Sequence, residues 1–174
     1  MEQVKNLGGS ARFEVFAYQA ASLPADKRLT LLAAIEEMSA RHPEDGRLKF
    51  SKAILLQQEG LHAEALLIAG EILSSEEDVN VIILKITALN ALGRQEQART
   101  SLTTQVEAMP ANRRLRLFLA QLLFEHGNLA GAQVQYEKLL EKAPNDGDVL
   151  FALALIAMQN ENDPKAKRYL ERMV

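Results

Sequence analysis

The amino-acid sequence predicts an all-α fold, built as an α-solenoid of about five antiparallel helix pairs. Apolar residues recur at three- and four-residue spacings along most of the chain, which is the period of an amphipathic helix. Gly60, Gly93 and Gly127 lie 33 and 34 residues apart, at the ends of such helical segments. Marks that repeat with one period of this length are typical of stacked helical hairpins, so essentially no strand is expected.

Two further marks share this period. A residue with a short acceptor side chain precedes the first helix of each pair, and these residues are Asp45, Asp78, Asn112 and Asp146. Such side chains cap helices because their oxygens accept hydrogen bonds from the free amides of the first turn. A small residue recurs in the second helix of each pair, at Ala65, Ala98, Ala132 and Ala166. We expect these alanines to be buried where helices cross.

The individual helices follow from the apolar pattern and its breaks. In chain order the predicted helices are Arg12–Ala21, Lys27–Arg41, Gly46–Glu59, His62–Ser75, Asn80–Leu92, Gln95–Met109, Arg113–His126, Leu129–Lys142, Gly147–Gln159 and Lys165–Met173. In the last pair Asn160-Glu161-Asn162 replaces the glycine stop, and Asp163-Pro164 is predicted to restart the helix, with Asp163 as its cap. The predicted organisation is a flexible lead-in at 1–11, a degenerate repeat or N-terminal cap at 12–45, repeats at 46–78, 79–112 and 113–146, and a repeat truncated at its C-terminal end at 147–174.

These marks together resemble the tetratricopeptide repeat (TPR) family. The best match is carried by Leu119, Ala120, Leu123, Gly127, Ala132, Tyr136 and Pro144. There are departures, since Ile86 replaces the usual small residue, Ala69 the usual large one, and Glu77 stands where proline would. The resemblance covers Gly46–Val174 well and Arg12–Asp45 poorly. It implies a right-handed solenoid that serves as a protein–protein interaction scaffold, and the Ala/Leu/Gln-rich repeats also resemble adaptor lipoproteins of the bacterial envelope.

Composition limits the classes of partner. The net charge of −3 and the pI of about 5.7 give no overall field that attracts nucleic acid, so no nucleic-acid partner is expected. No apolar run reaches the roughly 18–20 residues of a membrane span, so direct membrane insertion is not expected. Cysteine is absent, which excludes disulfides and thiolate chemistry. The sequence shows no signal peptide and leaves cytoplasmic and periplasmic locations open.

Catalytic and metal-binding constellations are missing from the sequence. His42, His62 and His126 fall at helix ends or loops of different repeats, where a solvated histidine beside a helix dipole is the ordinary reading. No phosphate-cradling glycine loop and no nucleophile elbow occur. We therefore predict a protein that is not an enzyme and carries no cofactor or metal. The acidic pairs Glu36-Glu37 and Glu76-Glu77 are interpreted as solvated or helix-end charges rather than as paired catalytic acids.

The resemblance also predicts a binding surface. In TPR arrays the second, fifth, ninth and twelfth residues of each first helix line a concave groove. The partner-binding residues predicted in this way are Phe50, Ile54, Gln57, Ile83, Thr87, Asn90, Arg114, Leu117, Gln121, Phe124, Phe151 and Leu155, and Arg47, Asn80, Asp148 and Met158 hold the remaining places. The lysine–asparagine clamp by which some TPR proteins hold a terminal carboxylate is not present in that arrangement. An apolar groove suits an apolar peptide or helix; the alternative is that curvature or a neighbouring repeat buries these residues as core.

The function predicted from the sequence is a non-catalytic scaffold or adaptor that binds a protein or peptide partner. Two alternatives stay open: a repeat module that self-assembles through its apolar ends as a homo-oligomer, and a fragment of a longer TPR protein attached to an enzyme. The chain stops within its fifth second helix, with Leu170 and Met173 near the end. We therefore expect a fragment of a longer repeat protein, or an end that a partner chain covers.

Overall fold

Every helix that the structure describes belongs to a helix–turn–helix series. The structure is a computed structural model that describes residues 19–20 and 22–173. Within this part of the chain there is no strand, and the helices are α1 (Ala25–Arg41), α2 (Gly46–Gln58), α3 (His62–Leu73), α4 (Val79–Ala91), α5 (Gln95–Ala108), α6 (Arg113–Glu125), α7 (Leu129–Lys142), α8 (Gly147–Gln159) and α9 (Asp163–Glu171). The all-α prediction is confirmed. The predicted helix Arg12–Ala21 lies almost wholly outside the described residues.

The chain forms two compact units, Met1–Ala98 and Arg99–Val174. In the first unit α1 packs on α2, α2 on α3 and α3 on α4, and α2 also touches α4. In the second unit α6 packs on α7, α7 on α8 and α8 on α9. Within the second unit α7 and α8 thus each bury one side against the helix before and another against the helix after, which is why α8 is apolar on more than one side.

The predicted N-caps hold the first helices of the pairs. Oδ1 of Asp45 accepts from the backbone N–H of Arg47 at 2.9 Å, and Oδ1 of Asp78 accepts from Asn80 at 2.6 Å. Asn112 and Asp146 cap α6 and α8 in the same way, at 3.1 Å and 3.2 Å. The prediction that these four residues are caps is therefore confirmed.

The last helix starts earlier than expected. Asn162, and not Asp163, is the N-cap of α9, because its Oδ1 accepts from the backbone N–H of Lys165 at 3.1 Å. Asp163 and Pro164 then occupy the first turn, where a carboxylate and a residue without an N–H are both favourable.

Three glycines end first helices in the left-handed conformation. Gly60, Gly93 and Gly127 have φ of 79°, 71° and 75°. Nothing lies within 4 Å of the position that a Cβ would take at any of them, so the backbone conformation alone requires glycine there. At the equivalent place in the last repeat Glu161 adopts φ 54°. This conformation is unfavourable for a residue with a Cβ, and the glycines avoid that cost in free energy.

The recurring alanines lie in the core. Ala65, Ala98 and Ala132 have no exposed surface, and Ala166 is 4% exposed. Their burial confirms the expectation that these four alanines are buried. It also explains the small side chain, since a larger one would meet a core already packed to the density of a crystal.

Candidate partner-binding surface

In the second unit the two first helices, α6 and α8, are linked at their N-termini. The guanidinium of Arg113, the first residue of α6, donates to Oδ2 of Asp146, the N-cap of α8. Leu117, Gln121 and Phe124 on α6 lie 34 residues before Phe151, Leu155 and Met158 on α8. Residues one period apart take equivalent places in successive repeats, so these six belong to one side of the unit. We call this set the first-helix face.

The α8 half of this face is an exposed apolar stripe. Phe151, Leu155 and Met158 are 49%, 36% and 55% exposed. Their spacings of four and three residues place them on one side of α8. The opposite side of α8 is core, where Val149, Leu150 and Leu153 are buried. Met158 belongs to this stripe, and the sequence had placed it along the predicted groove without naming it as a partner-binding residue.

The α6 half is less exposed and more polar. Leu117, Phe124 and Arg114 are half-buried, and Gln121 is exposed. Two apolar side chains therefore flank an amide that can both donate and accept hydrogen bonds. This combination of apolar surface with a few directional groups is common at sites that bind a peptide segment.

The second helices of this unit, α7 and α9, make a separate set of contacts. Glu137 on α7 lies 3.5 Å from both the Nζ of Lys165 and the hydroxyl of Tyr169 on α9. The guanidinium of Arg172 donates to the carbonyl oxygen of Pro144 at 2.6 Å. Exposed apolar residues on these two helices are Val134 on α7, at 47%, and Leu170 on α9, at 40%.

The predicted residues of the first unit differ in exposure. Phe50 and Ile54 are buried, at 6% and 5%, in a core cluster with Ala69, Ile72, Val81 and Leu84. Helices α3 and α4 therefore cover them, and Ile54 has almost no surface left for a partner. For these two positions the core alternative raised by the sequence describes the structure.

The remaining predicted residues of the first unit offer little apolar surface. Gln57 is half-buried, and its Oε1 lies 3.0 Å from Nδ1 of His62. Thr87 is exposed, but its hydroxyl donates to the carbonyl oxygen of Ile83 at 2.8 Å. Ile83 and Asn90 are half-buried. The first unit thus offers a mainly polar surface at its predicted positions.

Two capping carboxylates have lowered pKa values. The pKa of Asp45 is lowered to about 2, chiefly because its side chain accepts from the Arg47 guanidinium and also from the Arg47 backbone N–H. The pKa of Asp146 is lowered first by its hydrogen bond with the Arg113 side chain, while burial opposes the shift. Both groups are therefore ionised near neutral pH, which suits their role as caps.

The remaining candidates for chemistry also have structural surroundings. Oε1 of Glu36 pairs with the Nζ of Lys52 at 2.9 Å, and Glu37 pairs with Arg41 one turn later in α1. His42 and His126 are the C-cap residues of α1 and α6. Among the described residues, no three histidine or acidic side chains form a group that could hold a metal ion, and none of the helices is long and apolar enough to span a membrane.

Comparison with known families agrees with this architecture. Two family models described as "Tetratricopeptide repeat" match residues 84–146 and 123–174. Together they span more than half of the 174 residues. The chain belongs to the tetratricopeptide repeat family. Members of this family generally serve as scaffolds for protein interactions, and this general class of function applies to the chain.

Two curated relatives are much longer proteins. The TPR repeat-containing protein PA4667 of Pseudomonas aeruginosa is 33% identical over 120 residues, which cover 69% of this chain and 20% of that protein. Cellulose synthase operon protein C of Pseudomonas fluorescens is 25% identical over 150 residues, which cover 81% of this chain and 12% of that protein. The chain therefore spans a fifth or less of the length of the relatives it matches.

Solved structures share the fold. MamA of Desulfovibrio magneticus RS-1 superposes with a TM-score of 0.69 at 14% identity, covering 94% of this chain and 92% of that one. YrrB, described as a TPR protein with an unusual peptide-binding site, superposes with a TM-score of 0.62 at 17% identity, covering 99% of this chain and 91% of that one. At these identities the likeness concerns the fold alone.

Proposed function

We propose that the chain is a non-catalytic adaptor that binds a protein segment on its first-helix face. The observation that carries the proposal is the stripe of Phe151, Leu155 and Met158, three large apolar side chains exposed along one side of α8. Apolar side chains at successive turns of a helix suit an apolar segment laid across them. The peptide-binding site described for YrrB, which has the same fold, supports the same class of partner.

The polar groups beside the stripe would set the direction and register of the bound segment. Gln121 is exposed one repeat before Leu155, and Arg114 lies near the start of the same helix, α6. An amide can satisfy a backbone N–H or carbonyl group that binding would otherwise bury without a partner. An arginine near the edge of an interface acts mainly on association rate and selectivity. The proposed partner is therefore an apolar segment with backbone groups free to hydrogen-bond.

A photocrosslinker placed in the chain tests this proposal and captures the partner in the same experiment. Benzoylphenylalanine is introduced at Phe151 or Leu155 in one set of proteins, and at Val134 or Leu67 in a matched set. Val134 and Leu67 are exposed on second helices, at 47% and 69%, so all four sites tolerate a large side chain. After irradiation in the native cell, crosslinked species are identified by mass spectrometry.

The proposal predicts crosslinks to a defined protein from Phe151 and Leu155, and few or none from Val134 and Leu67. Crosslinks confined to the second-helix positions would contradict it. Crosslinks from Phe151 to a second copy of the same chain would instead support the self-assembling alternative, which the sequence left open. A sedimentation measurement of mass would then show the oligomer directly.

A further inference from the structure

A cavity of about 290 Å³ lies within the first unit, where the N-terminal ends of α2 and α4 meet the end of α3. Its floor is formed by Phe50, Ile72 and Val81, which belong to one buried apolar cluster. Its rim is formed by charged residues from the two turns that precede α2 and α4. The cavity is therefore apolar at its base and charged at its mouth.

The charges at the mouth are mostly negative. The four carboxylates of Glu44, Asp45, Glu76 and Asp78 line it together with one guanidinium, that of Arg47. That guanidinium is already used, because its Nε and Nη2 donate to the two carboxylate oxygens of Asp45 at 3.2 and 2.9 Å. The other three carboxylates therefore leave the cavity mouth with an excess of negative charge, because the lining contains no second cation.

The four carboxylates are not equivalent. Asp45 and Asp78 accept backbone N–H groups of α2 and α4 as caps. Glu44 and Glu76 are exposed, and their carboxylates make no hydrogen bond or ion pair with any residue of the described part of the chain. Two carboxylates on separate turns thus remain available to a ligand at the mouth of an apolar cavity.

These features select the class of ligand. An anion is repelled, and a metal ion lacks a suitable set of ligands, since no three acidic or histidine side chains of the described residues are grouped closely enough to hold one. A basic side chain of a partner enters head first, so its charged group meets the carboxylates at the mouth, and its aliphatic stem can cover apolar surface beside them. Guanidinium is more weakly hydrated than ammonium, and it has five donors to share between two carboxylates.

We propose that this cavity binds an arginine side chain carried by a partner protein. The protein source of the arginine rests on the proposed adaptor function, whereas the recognition of the side chain itself does not. The sequence indicated only solvated or helix-end charges at Glu76-Glu77. The structure adds the second acidic turn and the apolar floor beneath both, and this convergence turns loop charges into a recognition site.

The test is a titration of the whole chain, labelled with ¹⁵N, with N-acetyl-arginine N-methylamide. The neutral analogue N-acetyl-citrulline N-methylamide, which has nearly the same shape, is the ligand control. We expect saturable shifts of the backbone amide signals of Gly46 and Val81, which line the cavity, with the arginine compound only. The binding should weaken with added salt, because ions screen charges that face solvent.

Two double variants localise the binding. Glu44→Gln with Glu76→Gln should raise the dissociation constant on the order of fivefold, equivalent to about 1 kcal/mol. Glu64→Gln with Glu71→Gln, which removes two exposed carboxylates of α3 outside the cavity, should leave it unchanged. All four residues are exposed, so both variants keep the fold, and helicity is checked by circular dichroism.

Three results would overturn the proposal: no saturable shift at Gly46 and Val81, equal shifts with the citrulline compound, or equal weakening in the two double variants. Because the probe needs no partner protein, these results leave the first-helix face of α6 and α8 untouched. Conversely, the photocrosslinks at Phe151 and Leu155 can fail while the arginine compound still binds.

Discussion

Asp146 combines two roles that substitutions can separate. Its side chain caps α8 by accepting from the N–H of Val149 at 3.2 Å, and it also pairs with Arg113 at the start of α6. Asp146→Ala removes both interactions. Asp146→Asn keeps an acceptor that caps a helix about equally well but removes the charge. Arg113→Ala removes the pair from the other side and leaves the cap intact.

The expected costs follow from these contacts. Loss of an N-cap costs roughly 0.5–2 kcal/mol. The ion pair is worth less, about 0.2–1 kcal/mol, because solvent screens it on the Arg113 side, whose side chain is 54% exposed against 12% for Asp146. We therefore expect Asp146→Ala to lower the free energy of unfolding by about 1–3 kcal/mol in total. Asp146→Asn and Arg113→Ala should each cost about 1 kcal/mol or less.

Urea unfolding at pH 7 measures these costs through the transition midpoint, and acid adds an independent check. Since the pKa of folded Asp146 lies below its ordinary value, the carboxylate stabilises the fold above the unfolded pKa of about 4 and loses this contribution as the pH falls through the folded pKa. The wild type and Asp146→Asn should therefore converge in stability on acidification. If Asp146→Asn costs as much as Asp146→Ala, or if the gap between wild type and Asp146→Asn stays constant down to low pH, the assignment of two separable roles is wrong.

Three further predictions concern the repeat marks. Ala132→Leu should lower the free energy of unfolding by about 1–3 kcal/mol, because it overpacks a fully buried helix crossing. Ala130→Leu, on the exposed side of the same helix, should change the urea midpoint little. Equal midpoints for the two variants would contradict the repeat alignment. Gly127→Ala should lower the free energy of unfolding by about 1–2 kcal/mol through backbone strain at φ 75° alone, since no atom lies near the added Cβ. A thermal melt unchanged from wild type would refute this. Arg47→Ala should raise the pKa of Asp45 from about 2 toward its ordinary value, as read from the carboxyl ¹³C signal during a pH titration, and a pKa that stays near 2 would show that the backbone amides alone lower it.

Local signals explain how much of the fold the sequence could predict. The caps, the left-handed glycines and the buried alanines each depend on a few neighbouring residues and on one repeated period, so their positions can be predicted from the sequence. The cap of α9 was predicted at Asp163 instead of Asn162 for a simple reason. Asn162 and Asp163 are adjacent residues that can both cap a helix, and the sequence does not decide which oxygen reaches the first turn.

The binding surface was less predictable, because exposure depends on contacts between distant residues. Phe50 and Phe151 hold the same place in their repeats, yet Phe50 is 6% exposed and Phe151 is 49% exposed. The difference arises because residues of α3 and α4, such as Ile72 and Val81, cover Phe50. The cavity of the first unit was missed for the same reason, since its mouth is assembled from two turns about thirty residues apart in sequence.

The affinity of the captured partner for matched variants tests most directly whether a partner protein binds the first-helix face. The partner captured by the photocrosslinker is purified, and its dissociation constant is measured for wild type, Phe151→Ala, Leu155→Ala and Val134→Ala. All three side chains are exposed, so their truncation leaves the core intact, and equal melting curves verify this. We expect Phe151→Ala or Leu155→Ala to weaken binding by about thirtyfold, the effect of losing about 2 kcal/mol at an interface anchor, and Val134→Ala to bind like wild type. Wild-type affinity in both α8 variants would contradict it.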